Sequence, residues 1–336
     1  MRRMKSILKV LMVLSVFPFV GLCGGVNSFA STPDYYISPI FSAHQSKNVT
    51  TFFDLRWSPG ESDKIGITIT NTTDEDKTFQ IKVNKARTNG NGVLDYSDGS
   101  KEASDATQPT ITSMVAFPKS VDVAAHGSQV VYSTINFPQK DFNGIKMGGI
   151  EVEEQHSSQE KQNVVSYVLP LIIRGNIDQR PQAKITFGKF DLKQSTFHDF
   201  ALSLPISNIN ATLLKDAQVD VTLKRSDGGV AWTKSSKFLI TPETSFVYNP
   251  TIDKDLKAGT YKVELVIKHG EERWENTQEL TVSKNTASKM KQTTKAGNNF
   301  SVSKKKTVLL VIATVICTLF IIVLVVLLYR KLKKGN

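Results

Sequence analysis

Thr307 to Tyr329 is an unbroken run of 23 residues, mostly Val, Ile and Leu, that carries no charge. Backbone groups surrounded by that much hydrocarbon must satisfy one another, and within one segment only an α-helix does so. At about 1.5 Å of rise per residue the run crosses a hydrocarbon core of roughly 30 Å. Arg330, Lys331, Lys333 and Lys334 follow at once, the pattern of a stop-transfer segment held on the cytoplasmic side. The opposite end begins with Arg2, Arg3, Lys5 and Lys9, then an apolar stretch and the small residues Ser28 and Ala30. That order is the order of a secretory signal peptide, with cleavage expected after Ala30. Leu22 stands before Cys23 where a lipoprotein signal needs a small residue. Everything between the two segments is therefore expected outside the cell, tethered by one C-terminal transmembrane helix.

The net charge of +11 looks like a nucleic-acid signature until it is divided along the chain. All 31 acidic residues lie in 31–283, against 27 basic ones, so that stretch nets −4. The positive excess belongs to the targeting and anchoring ends, which excludes nucleic acid as the partner its charge would steer. The two cysteines, Cys23 and Cys317, also lie in the hydrophobic ends. The exported part must then hold itself together by core packing alone, which roughly 250 residues supply as two domains. Disulfide-free export fits a Gram-positive surface.

Within 31–283 the hydrophobic period is two. Ile65, Ile67 and Ile69 alternate with Gly and Thr; Asn71-Thr72-Thr73-Asp74 turns the chain; Phe79, Ile81 and Val83 resume the alternation. Similar runs lie at Val130–Phe137, Gly149–Val152 and Val164–Ile173, separated by the loop-like Thr88-Asn89-Gly90-Asn91-Gly92 and a polar stretch over 97–109. A second series begins after Gln179-Arg180-Pro181: Ile185 and Phe187, Leu202 and Leu204, Val219 to Leu223, Tyr261 to Ile267, Leu280 and Val282. Short alternating strands between Gly, Asn and Pro signals predict an all-β ectodomain of two immunoglobulin-like β-sandwiches in tandem. The expected division is a signal peptide over 1–30, sandwiches over 31–175 and 176–283, a flexible basic stalk over 284–306, the transmembrane helix over 307–329 and a cytoplasmic tail over 330–336.

No enzyme is legible. His44, His126, His156, His198 and His269 have no metal-ligand spacing, and neither a GxSxG elbow nor a phosphate-cradling loop is present. Glu151, Glu153 and Glu154 put two carboxylates on one face of a strand, read here as a solvent-facing side because no second acidic group is brought to them. Asp74, Glu75 and Asp76 read as a solvated hairpin turn. No metal or cofactor is implied. The binding candidates are Arg56 and Trp57, a cation and a ring just before the turn Ser58-Pro59-Gly60, and Trp274; for any single tryptophan, core packing is as good a reading.

The chain resembles the WxL-interacting proteins of Gram-positive surfaces. In the first half the likeness is carried by YYISPIFSAHQSKNVTTFFDLRWSPGESDKIGITITNTTDEDKTFQIKV, TNGNGVLDYS and FPQKDFNGIKMGGIEV. In the second it is carried by PQAKITFGKFDL, LPISNINATLLKDAQVDVTLK, ITPETSFVYNP and LKAGTYKVELVIKHGEERWENTQELTV. His44-Gln45 stands where the family usually has Asn-Gln. The resemblance implies a peptidoglycan-binding domain followed by a host-binding domain, in a non-enzymatic adaptor that holds WxL-domain proteins at the envelope and contacts host or matrix proteins. It supplies no residue set for the glycan. The competing readings are a membrane-anchored sensor, disfavoured by the seven residues after Tyr329, and a glycan-processing enzyme, which needs a second carboxylate in a cleft.

Overall fold

The computed structural model describes residues 33–56, 59–97, 109–137, 139, 142–156, 165–176, 179, 181–194, 199–291 and 330. The expected signal peptide, the run over 307–329 and the tail beyond Arg330 lie outside the described residues, as do Trp57 and His198. Among the described residues no helix is long and apolar enough to cross a membrane.

The chain is all-β. In order the strands are β1 (Tyr35–Ile40), β2 (Phe53–Arg56), β3 (Ser62–Asn71), β4 (Lys77–Lys85), β5 (Arg87–Thr88), β6 (Leu94–Asp95), β7 (Ser120–Val123), β8 (Ser128–Asn136), β9 (Ile145–Glu154) and β10 (Ser166–Arg174). They continue with β11 (Ile185–Phe187), β12 (Asp191–Gln194), β13 (Phe200–Asn208), β14 (Leu214–Arg225), β15 (Val230–Ile240), β16 (Thr244–Tyr248), β17 (Gly259–His269) and β18 (Glu272–Val282). The first unit pairs a three-stranded sheet, β1-β3-β8, with a five-stranded one, β2-β10-β9-β4-β7. Its core draws Ile65, Ile67, Ile69, Val131 and Ile135 from one sheet and Phe53, Phe79, Ile150 and Leu171 from the other. The alternation places every second side chain on the same face, so one register suffices to bury all of them. Tyr35 ties the two sheets together. Its hydroxyl reaches the carbonyls of Val152 and Val165 at 2.8 and 2.9 Å, and burial pushes that phenol well above the usual tyrosine range.

The second unit has its own core between β11-β13-β12, with β16 on β13, and the sheet β15-β14-β17-β18. Both units use the same strand terminator. Asn71 closes β3 by donating to the carbonyls of Glu75, Val123 and Ala124. Asn208 closes β13 by donating to those of Thr212 and Thr241. An asparagine at a strand end supplies the donors that the departing backbone leaves unfilled.

Two expectations need correction. The flexible stalk does not start at 284: residues 284–291 are helical, with Ser283 accepting from the Thr286 amide as a cap. Met290 is buried in the second core and Ala287 packs against it. Nor is Thr88–Gly92 a free loop. Together with β5 and β6 it forms a hairpin arm that leaves the first unit and docks on the second. The Thr88 hydroxyl donates to the Leu239 carbonyl at 2.9 Å and accepts from the Thr241 amide at 2.9 Å. The Leu239 amide donates to the Gly92 carbonyl. Gly92 has φ +76, and a β-carbon there would overlap the Phe238 ring. Nearby, Glu243 sits in the left-handed region (φ 51) and takes Lys146 Nζ on both carboxylate oxygens at 2.7 Å, while its carbonyl accepts from Lys85. The two units are therefore clamped at several points rather than strung on a linker.

Candidate functional site

Arg56 ends β2 and is exposed. Its register partner is Arg174 of β10, which runs parallel to β2. Arg174 grips Asp54 in a bidentate pair, Nε to Oδ1 at 2.5 Å and Nη2 to Oδ2 at 2.9 Å, and Asp54 is only 3% exposed. The fork geometry explains how a carboxylate tolerates that burial. The loop leading to β2 is held by Gln45, whose Nε2 donates to the carbonyls of Val49 and Phe52 and whose Oε1 accepts from the Asp54 amide. Gln45 is thus an internal strut. Gln45→Ala should cost about 2–3 kcal/mol, since three part-buried hydrogen bonds, each worth about 1 kcal/mol or slightly less, are lost together. Thermal melting and faster proteolysis of residues 42–52 check this. His44, beside it, stands between Glu61 Oε2 and Asp63 Oδ2, each 3.1 Å away, with the Phe137 ring at its edge.

Trp274 lies on β18 of the other unit, half-buried against the second core. Trp232 is buried there, its Nε1 donating to Asp253. The structure therefore does not bring the sequence candidates together: Arg56 and Trp274 belong to different sheets of different units.

What the sequence reading missed is the outer face of β1-β3-β8. Val131, Ile135 and Phe137 point inward, so Tyr132 points outward, where it is 45% exposed. Its register partner is Gly66. A β-carbon at position 66 would lie 2.7 Å from Cδ1 and Cε1 of the ring, so the ring occupies the slot that the missing side chain leaves. Lys64 Nζ stands 4.0 Å from the ring centroid, a cation–π contact. Tyr36, 51% exposed on β1, and Val130 share this face. Between them lie hydroxyls: Ser38 opposite Thr68, and Thr70 bonded to Ser128 at 2.8 Å. The signal was present in the alternation itself, which assigns a tyrosine to the solvent side of two different strands.

The opposite outer face, on β9 and β4, is different. Glu151 was expected to face solvent but is buried, accepting from Asn84 Nδ2 at 2.7 Å. Tyr96, at the foot of the arm, rests where a side chain at Gly149 would be, and burial pushes its phenol up to about 12. The diglycine of β9 creates this fit, because Gly148 likewise admits Ile111 of the short helix α1 (Ile111–Met114). Glu153 pairs with Lys82 at 3.2 Å, and Glu154 with Lys77 at 3.0 Å. Asp74 to Asp76 form a turn but not the expected hairpin: β3 and β4 do not pair, so the chain here crosses from the three-stranded sheet to the five-stranded one, with Asp74 on His126 and Asp76 accepting from the Ala125 amide. Among the described residues no group of three or more His, Asp or Glu side chains is arranged to hold a metal.

Fold and surface together define an all-β chain of two clamped modules that carries its exposed aromatic chemistry on an open sheet face. Residues 35–154 match the WxL Interacting Protein peptidoglycan binding domain, and residues 157–292 match the WxL Interacting Protein host binding domain. The chain belongs to the WxL-interacting protein family. The two matches meet between β9 and β10, whereas hydrogen bonding keeps β10 in the sheet of the first unit. No curated protein matches the chain. Similar solved structures include the CsuC–CsuE chaperone–tip subunit complex from Acinetobacter baumannii, with 14% identity, 67% of this chain and 94% of that chain covered and a TM-score of 0.31. The E. coli chaperone DraB shows 16% identity, coverage of 68% and 93% and a TM-score of 0.26. For the PapD-like domain 7 of human CEP192 the values are 17%, 47% and 94%, and 0.27. Likenesses at these scores carry no functional meaning.

Proposed function

We propose that this protein is a non-enzymatic adaptor of the Gram-positive cell surface, built from two immunoglobulin-like sandwiches. The first unit binds peptidoglycan, the second binds host or matrix proteins, and the pair retains WxL-domain proteins at the envelope. The observation that carries the reading is the match of both modules of one family, in order, over residues 35–154 and 157–292. The uncharged run over 307–329 and its basic flank support a single-pass anchor with the modules outside. The clamped junction supports an adaptor too, since a load on one module passes to the other through the arm and the Lys146–Glu243 pair. The test is co-sedimentation with purified peptidoglycan and pulldown with purified WxL-domain proteins. Retention by both is expected; retention by neither sinks the proposal.

A further inference from the structure

We propose that the outer face of β1-β3-β8 is the glycan subsite of the first unit, with Tyr132 as the stacking ring and Lys64 as the cation for a carboxylate of the sugar or its peptide stem. This rests on the peptidoglycan-binding reading above. A half-exposed aromatic ring that lies along a sheet offers a flat apolar surface, and the carbon face of a pyranose is its natural complement. Seating in the Gly66 slot restrains the ring before any ligand arrives, so little side-chain entropy remains to be lost on binding. To one side of the ring's row the face bears hydroxyls: Thr68 in the next row and Thr70 in the one beyond can each donate to or accept from sugar hydroxyl and acetamido groups. The apolar part of the face is a short strip of Val130, Tyr132 and, across Gly66, Ile40, and the hydroxyls of Ser38, Thr68, Thr70 and Ser128 separate it from Tyr36, which falls short of the broad apolar patch a protein partner would want. Four residues along β3 and two strand spacings separate the Tyr36 and Tyr132 positions, roughly 17 Å, so the face fits an extended chain better than a single sugar. The flexible stem of Lys64 lets its amine swing from the ring to an incoming carboxylate while it stays within reach.

The experiment is a binding isotherm of the full-length protein, purified in mild detergent, against purified peptidoglycan sacculi. Tyr132→Ala should weaken binding about tenfold or more, and Tyr132→Phe should stay within about twofold, because stacking needs the ring and not its hydroxyl. Gly66→Ala should also weaken binding by several-fold: it removes no ligand contact but displaces the ring. Lys64→Glu, at an exposed position that does not endanger the fold, should weaken binding and invert its salt dependence. Wild-type protein that fails to pellet with sacculi overturns the functional reading itself. Wild-type protein that pellets while Tyr132→Ala and Lys64→Glu bind equally well overturns this face and leaves the functional reading standing.

Discussion

Gly92→Ala releases the arm from the second unit. At φ +76 an alanine is strained by about 1–2 kcal/mol in the left-handed region, and its β-carbon overlaps the Phe238 ring. Phe238 is buried in the second core and cannot retreat without opening it. The sum, about 3 kcal/mol with an overpacking cost at the low end of its range, is a roughly hundredfold shift toward the undocked arm. Hydrogen exchange reads it directly, because the Leu239 amide donates to the Gly92 carbonyl and the Thr241 amide to the Thr88 hydroxyl. Both amides should lose protection while the β14–β17 amides keep theirs. Gly228→Ala is the control: its φ is +83, but nothing lies within 4 Å of a β-carbon there, so only the strain of about 1 kcal/mol applies. Equal effects of the two substitutions would show that the arm is not wedged against Phe238.

Arg174→Ala leaves Asp54 as a buried carboxylate without its cation. Removing one member of a buried pair costs about 3–5 kcal/mol, and the one-third exposure of the arginine side chain brings the expectation to about 2–3 kcal/mol. The loss should appear as a lower urea midpoint of the first unit. A double replacement of Asp54 and Arg174 by leucine should recover much of it, because no charge is then left buried. If the single variant is as stable as the parent, the pair contributes nothing and Asp54 is hydrated in solution. Gln45 stands on the same corner, so Gln45→Ala and Arg174→Ala should not add independently.

How much of this could be read from the residues differs from element to element. Ile65, Ile67 and Ile69, Phe79 and Ile81, and Val219 to Leu223 announced their strands because alternation is a local property that survives any tertiary context. β2, β7, β12 and β16 were not announced, being four or five residues long, and all but β12 are held by strands distant in sequence. The run Thr88–Gly92 looked like a loop because its glycines and asparagines are turn residues. Its role depends on Phe238, some 150 positions away. Glu151 was misplaced for a similar reason: an acidic side chain at an outward strand position normally meets water, but here it is buried and accepts from Asn84. Of the proposed site, Tyr132 was placed by the alternation, and its partner Gly66 by nothing short of the β3–β8 register.

By itself the sequence determined the all-β class, the near-neutral balance of the folded part, the exclusion of cysteine chemistry there and, by resemblance, the family. These rest on composition and on a period of two, which are properties of the chain before it folds. Only the tertiary structure decided which outward side chains are exposed, that the arm and the lysines on Glu243 clamp the two units, and that a tyrosine rests in a glycine slot on an open face. Each of these depends on strand register, and register is set by the packing of the whole core, so no local stretch of residues contains it.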